Sequence, residues 1–273
     1  LQNHGKADDI LIGRESTIRT RNGDRMADPA AARVVLVTGA SRGIGRAAAL
    51  ALAGEGAHVI ALARTQGALE ALDDEIRALG GTATLVPLDL SDHDALDRLG
   101  GSIFERWGKL DGLLGNGGLL GPITPLPHAS PKQFADVFSV NVAANFRLIR
   151  SLDPLLRAAP AGRAVFVTSG AASRAATRAY WGLYASSKAA LDLLARSYAA
   201  ETITTAVRVM LVNPGPMRTR MRATAMPGED PMTLPTPEDL APKLLRLLAP
   251  EWEETGKLYD FPTDRVLTFR DPS

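Results

Sequence analysis

The chain has 273 residues, 45% of them hydrophobic, and its 31 basic and 30 acidic side chains leave a formal charge of +1. That length accommodates one sizeable core of the larger α/β kind, and the near-neutral balance gives no phosphate-backbone footprint for nucleic acid. No uninterrupted apolar stretch approaches the ~18 residues of a membrane span, and the lack of cysteine excludes disulfides, thiol nucleophiles and thiolate metal sites, which fits a reducing compartment with the cytoplasm as default.

Residues 1–30 are polar, mixed in charge and without sustained periodicity, so they read as a poorly packing N-terminal extension ahead of one domain over 31–273. They lack the apolar core of a secretory signal, and Asp8, Asp9 and Glu15 argue against a transit peptide. From residue 33, short β-branched or apolar runs alternate with longer amphipathic stretches. Strands are expected near 33–38, 57–62, 83–88, 111–115, 163–168, 206–212 and 257–261, with helices near 43–54, 66–79, 92–107, 131–157, 182–203 and 237–249. The alternation predicts an α/β fold: a Rossmann-type doubly wound parallel sheet of about seven strands, layered α/β/α, with right-handed crossovers. The irregular stretch 213–236 holds five prolines and four methionines and reads as a lid beside the crevice at the strands' carboxyl ends.

"VVLVTGASRGIGRAAALALA" runs from a buried-type strand through Gly39, Ser41, Arg42, Gly43, Ile44 and Gly45 into an alanine-rich helix. Glycine permits positive φ and close approach of backbone to ligand, and the free N–H groups of a new helix suit a pyrophosphate. Strand, turn and helix in that order favour dinucleotide binding over a bland glycine turn. The second strand, "HVIALAR", ends in Ala63 and Arg64, where a carboxylate would meet a free ribose 2′-hydroxyl. Arginine instead offers a planar fork of donors to a 2′-phosphate, and Arg42 could clamp the same group. NADP(H) is therefore preferred and NAD(H) stays open, the competing account being two merely solvated arginines.

Further on, "PLDL" sets Asp89 at the end of the third strand, where an acid also suits the start of the next helix. In "LGNGG", Asn116 can tie adjacent strands through its amide while Gly115, Gly117 and Gly118 let backbone approach a ligand. Asn141, in "FSVNV", stands inside a long helix for which asparagine has poor propensity, and a local polar role would explain it.

"YWGLYASSKAA" contains Tyr180 and Tyr184, of which only Tyr184 has a lysine, Lys188, four residues on. With four tyrosines in the chain, such a pair arises by chance about one time in ten, so it is weak alone. On a helix, however, the two side chains share a face. A cation about 4 Å from the phenol, at an effective dielectric near 20, contributes roughly 4 kcal/mol and would bring the phenol toward a workable acid. Tyr180 and Trp181 could line a substrate mouth or simply cover apolar surface. A third participant is expected at the end of the preceding strand, where "AVFVTSGAAS" offers Ser169, with Thr168 and Ser173 as rivals.

The glycine turn, Asn116, Asn141, Ser169, Tyr184, Lys188 and "NPGPMRT" occur together in an order that resembles the short-chain dehydrogenase/reductase family across residues 33–220. "YWGLYASSK…NPGPMRTRMRA" with "PTPEDLAP" is similar to its YciK-type bacterial oxidoreductases. The resemblance implies hydride transfer between nicotinamide and a small-molecule carbonyl or alcohol. It implies that Ser169 orients the substrate oxygen, that Tyr184 is general acid/base, that Lys188 stabilises phenolate and binds nicotinamide ribose, and that Asn141 holds a water beside the lysine. It further implies an adenine contact for Asp89, a ribose approach at Asn116 in place of the family's NNAG, and cofactor contacts at Pro214, Gly215 and Thr219. For Thr219 an ordinary turn and helix cap is the competing account. From Ser169 to Tyr184 the loop is slightly longer than the family spacing. Helices near 131–157 and 182–203 resemble those through which members assemble, implying a homodimer or homotetramer. The competing class of function is a catalytically weak NAD(P)-binding regulatory protein on the same fold.

His4, His58, His93 and His128 show no ligand spacing and read as surface or turn residues, so no metal is expected. Arg218, Arg220 and Arg222 could draw an anionic substrate, with a solvated helix face as the competing account.

Overall fold

Val34–Thr38, five consecutive buried residues, form β1, the strand about which the molecule is arranged in a computed structural model describing residues 32–173 and 179–269. A strand buried on both faces needs cover on both. Val34 and Leu36 point into one apolar cluster and Val35 and Val37 into a second on the opposite face. Beside β1 lie β2 (His58–Ala63), β3 (Thr82–Pro87), β4 (Gly112–Gly115), β5 (Arg163–Val167), β6 (Arg208–Asn213), β7 (Lys257–Asp260) and β8 (Arg265–Leu267). Among the described residues they make an eight-stranded sheet in the order β3-β2-β1-β4-β5-β6-β7-β8. All neighbours are parallel except β7 and β8.

One layer contains α1 (Gly43–Gly54), α2 (Gln66–Ala78) and, later in the chain, a helix over Pro237–Leu248; the other contains α3 (His93–Trp107) and helices over Ala144–Ala158 and Gly182–Glu201. The expected doubly wound, three-layer α/β fold is therefore the observed one. Its direction of winding reverses between β1 and β4, which opens a crevice beyond their carboxyl ends.

Three features differ from the sequence reading. The helix expected over 131–157 is α4 (Pro131–Phe138), a π turn (Ser139–Ala143) and α5 (Ala144–Ala158). Two short helices appear, α6 (Gly170–Ser173) and α8 (Arg220–Ala225), flanking the longer α7 (Gly182–Glu201) and preceding α9 (Pro237–Leu248). Strand β8 was not anticipated because it is only three residues long and wholly exposed; Phe261–Thr263 and Asp264, at φ 50°, turn the chain back onto β7. The proposed extension 1–30 and His4 lie outside the described residues. No helix of the described residues is long and apolar enough to cross a membrane.

His58, expected on the surface, instead opens β2 with its ring nitrogens 2.8 Å from Thr82 Oγ1 and 2.9 Å from Thr84 Oγ1. Burial, with a smaller contribution from the Arg106 charge, pushes its pKa from 6.5 down to about 4. The native state thus refuses a proton that the unfolded chain accepts. Stability from this residue is complete above pH 6.5 and falls as pH drops toward 4, by up to about 3 kcal/mol. Urea unfolding across this window should show a distinctly shallower loss of stability for His58→Gln than for wild type.

Candidate active site

Where β1 ends, the chain turns through Gly39 (φ +64°) and Gly43 (φ +54°) into α1. The turn is packed directly against the end of β4. A Cβ on Gly45 would stand 2.4 Å from the Gly39 carbonyl oxygen and 2.6 Å from Asn116 Nδ2. Asn116 Nδ2 donates to the Thr38 carbonyl at 2.9 Å, and Thr38 Oγ1 accepts the backbone N–H groups of Asn116 at 3.0 Å and Gly117 at 2.9 Å. Asn116 therefore ties β4 to β1, as its residue type suggested.

The start of α1 is left open to a ligand. Arg42, its N-cap, is exposed and makes no side-chain cap, and no acid lies in the first turn. Unpaired N–H groups at the positive end of a helix, reached across glycines, fit a pyrophosphate. Ser41 and Ile44 are half-buried, with Ile44 packed on the core beneath the turn. Thr219 comes in from the 213–236 segment, its Cγ2 3.5 Å from where a Gly43 Cβ would be. Its hydroxyl caps α8 by accepting the Arg222 N–H at 3.2 Å, so the helix-cap account holds for Thr219, beside the turn. Pro214 is half-buried, and Gly215 has φ +67° with its N–H on Asn213 Oδ1 at 3.1 Å. Asn213 Oδ1 also accepts the Gly170 N–H at 2.7 Å, joining the ends of β5 and β6.

Arg64 follows β2 with a largely exposed guanidinium, Nη1 lying 3.6 Å from Asp89 Oδ2. Asp89 Oδ1 accepts Ser91 N–H at 2.9 Å and Ser91 Oγ at 2.8 Å. The two residues expected at the cofactor's adenosine end are thus neighbours at one rim of the crevice.

At the crevice floor four elements converge. Ser169 follows β5, Tyr184 and Lys188 lie on the buried face of α7, and Asn141 occupies the π turn, fully buried. The Ser169 hydroxyl lies near enough to the Tyr184 phenol to lower its pKa. Asn141 is engaged at every side-chain position: Oδ1 accepts Leu119 N–H at 2.7 Å, and Nδ2 donates to the Leu119 carbonyl and Ser187 Oγ, both at 2.9 Å. Its carbonyl accepts Asn145 Nδ2 at 2.9 Å. Gly118 lies between this amide and the lysine, a Cβ there being 3.3 Å from Asn141 Oδ1 and 3.5 Å from Lys188 Nζ.

The spacing brings Lys188 near Tyr184, as expected, without a hydrogen bond between them among the described residues. Lys188 Nζ lies 6.0 Å from the Tyr184 ring centroid and donates to the Val167 carbonyl at 2.8 Å. Burial pushes the Tyr184 phenol up, only partly offset by Ser169, and pushes Lys188 down to about 8. Sharing a helix face brought the pair into one dry compartment, but the carbonyl at the end of β5 claimed the ammonium.

Tyr180 is not packed. It is 57% exposed, holds φ +74°, and fixes the loop after β4 by accepting the Thr124 N–H at 3.1 Å. Trp181 sits edge-on to Tyr184, with ring centroids 6.0 Å apart. The rival Thr168 is buried behind Ser169, whereas Ser173 ends α6 with a side chain outside the described residues. Of the lid arginines, Arg218 donates to the Pro231, Met232 and Leu234 carbonyls and Arg222 pairs with Glu229, so these two hold the lid's own fold. Arg220 is exposed. Among the described residues no group of three or more His, Cys, Asp or Glu could hold a metal ion.

Sequence reasoning missed Thr38, Asn145, Ser187 and Asp192. Asp192, 6% exposed on α7, was discoverable by the rule that found Lys188: it lies four residues further along the same buried face.

The family model for short chain dehydrogenase matches residues 33–230. An uncharacterised oxidoreductase of Escherichia coli, YciK, is 39% identical over 232 residues, spanning 84% of this chain and 91% of that protein. Among solved structures, a Shigella flexneri short chain dehydrogenase complexed with NADP is 39% identical with a TM-score of 0.79, covering 84% of this chain and 96% of that one. An Escherichia coli short chain dehydrogenase complexed with NADPH is 38% identical with a TM-score of 0.78, covering 86% and 99%.

The close packing at the glycine turn makes a sharp contrast inside α1. Gly45→Ala should lower unfolding free energy by about 2 kcal/mol, because backbone must move. Gly54→Ala, whose added Cβ meets nothing within 4 Å, should be neutral or stabilising by up to about 1 kcal/mol in the same denaturant titration.

Proposed function

Since this chain belongs to the short-chain dehydrogenase family, whose members are NAD(P)-dependent oxidoreductases working between CH–OH and C=O groups, we propose that it is an NADP-preferring reductase of a small-molecule carbonyl with Tyr184 as proton donor. The observation that carries the reading is the convergence of Ser169, Tyr184, Lys188 and Asn141 on the floor of a crevice whose rim is an uncapped helix start.

The glycine turn and the N–H groups of α1 would hold the pyrophosphate, with Thr219 beside them. Arg64 and Arg42 would take the ribose 2′-phosphate; the end of β2 itself carries no carboxylate, and the nearby Asp89 is paired with Arg64. NADP and NADPH in two solved relatives support that preference. The bound nicotinamide supplies the hydride. Ser169 orients the substrate oxygen and Tyr184 gives it the phenolic proton. A phenol whose pKa burial has raised is protonated at neutral pH, the state a donor needs for reduction. Lys188 then balances the phenolate, and Asn141 holds the segment after β4 against α7. Exposed Phe146 on α5 and Leu193 on α7 support assembly as a homodimer or homotetramer through these helices.

Tyr184→Phe should cut turnover at least a hundredfold in a nicotinamide-absorbance assay while dinucleotide binding, read by fluorescence, stays within a few-fold. Near wild-type turnover would refute the assignment, and binding without turnover by wild type on a broad carbonyl panel would favour a regulatory protein. Arg64→Asp should shift the ratio of kcat/KM for NADPH over NADH by at least tenfold toward NADH; an unchanged ratio would remove Arg64 from the phosphate site.

A further inference from the structure

Lys188 has one charged neighbour that the proposed reaction does not use. Asp192 lies one turn further along α7, so spacing and burial put its carboxylate on the lysine's face of the helix. Opposite is Thr168, 2% exposed and pinned at the end of β5 by donating its N–H to the Val212 carbonyl at 2.8 Å. The Thr168 hydroxyl lies near enough to lower the Asp192 pKa, yet Thr168 Oγ1 and Asp192 Oδ1 are both left without a well-aligned hydrogen-bond partner. Buried polar atoms left in this state are costly, and an apolar pair would fill the space better.

Two groups of α7 act on the carboxylate, Lys188 and then Arg196, whose guanidinium lies 4.2 Å from the Phe269 ring centroid. In the other direction, Asp192 is the acid that acts on Lys188. Lys188 is 3% exposed, with the neutral Val167 carbonyl as the ammonium's hydrogen-bond acceptor. A cation so placed is unfavourable without an anion on the same side of the helix.

We propose that Asp192 is a positioning residue acting through Lys188, a buried counter-charge that keeps the ammonium protonated and seated at the end of β5. This rests on the reading of Tyr184 and Lys188 as the working pair. Burial pushes Asp192 up to about 6, so it is ionised at neutral pH and neutralised below that, while Lys188 titrates at about 8. Between those values the two charges coexist. Removing the carboxylate lowers the lysine pKa, so the alkaline limb of carbonyl reduction moves toward acid.

The test uses full-length protein labelled with [13Cε]lysine and titrated by NMR without cofactor, the Lys188 signal being the one absent from Lys188→Met. In Asp192→Asn the Lys188 midpoint should fall by about one pH unit or more, with Asp192→Glu restoring it. The alkaline limb of kcat should move in the same sense, leaving about tenfold less activity above pH 8 than the loss near pH 6.5 accounts for. A Lys188 midpoint unmoved in Asp192→Asn, or a kcat lowered equally at every pH, would overturn the proposal. If Asp192→Asn fails to fold, Asp192→Ser carries the same titration. Because the NMR midpoint needs no turnover, a wild-type enzyme inactive on carbonyls would count against the proposed reaction alone.

Discussion

Everything in the crevice depends on how closely two pieces of backbone approach where the winding of the sheet reverses. The turn after β1 touches the segment after β4 with only a hydroxyl and an amide between them: Thr38 Oγ1 on one side and Asn116 Nδ2 on the other. Closing that gap requires residues without Cβ, which is why Gly45 faces the Gly39 carbonyl and Gly117 faces Gly39. The same closeness aims the start of α1 across the crevice. Its N–H groups are thus held in place by the sheet and not by a loop that must order when ligand arrives.

The crevice floor follows a different physical logic. Its groups arrive from β5, the π turn and α7, and they are placed by burial rather than by mutual ion pairing. Phenol and ammonium are each displaced toward their neutral forms by the dry surroundings, and no hydrogen bond joins them among the described residues. The ammonium is fixed by donating to the Val167 carbonyl, the phenol lies beside Ser169, and Asn141 is held by Leu119 and Ser187.

Much of this was legible in the sequence because the relevant rules are local. Alternating apolar runs located seven strands within a residue or two, and the glycines announced the turn. Asn141 was legible as an anomaly, a residue of poor helix propensity in a helical stretch, although its surroundings were not: the π turn depends on Leu119 and Ser187, distant in the chain. Strand β8 was illegible because three exposed residues carry no period. The tyrosine–lysine spacing correctly gave a shared face and proximity but not the ammonium's hydrogen-bond acceptor, the Val167 carbonyl, which belongs to another element. The arginines of 213–236 carried two accounts, an anionic draw and a solvated face, and neither foresaw that Arg218 serves carbonyls that proline-rich backbone cannot satisfy by itself.

The π turn between α4 and α5 fits one more residue into its turn than an α-helix would. In the language of helical phase, α4 and α5 are therefore two registers of a single rod, offset by about 100° at Asn141. Shortening the chain by one residue there would leave both helices intact and bring them into phase. The asparagine would be carried around the axis away from Ser187, and the rod would keep its packing on one side of the join only. The site's geometry is in this sense stored as a count of residues, a quantity that substitutions can neither tune nor gradually erode.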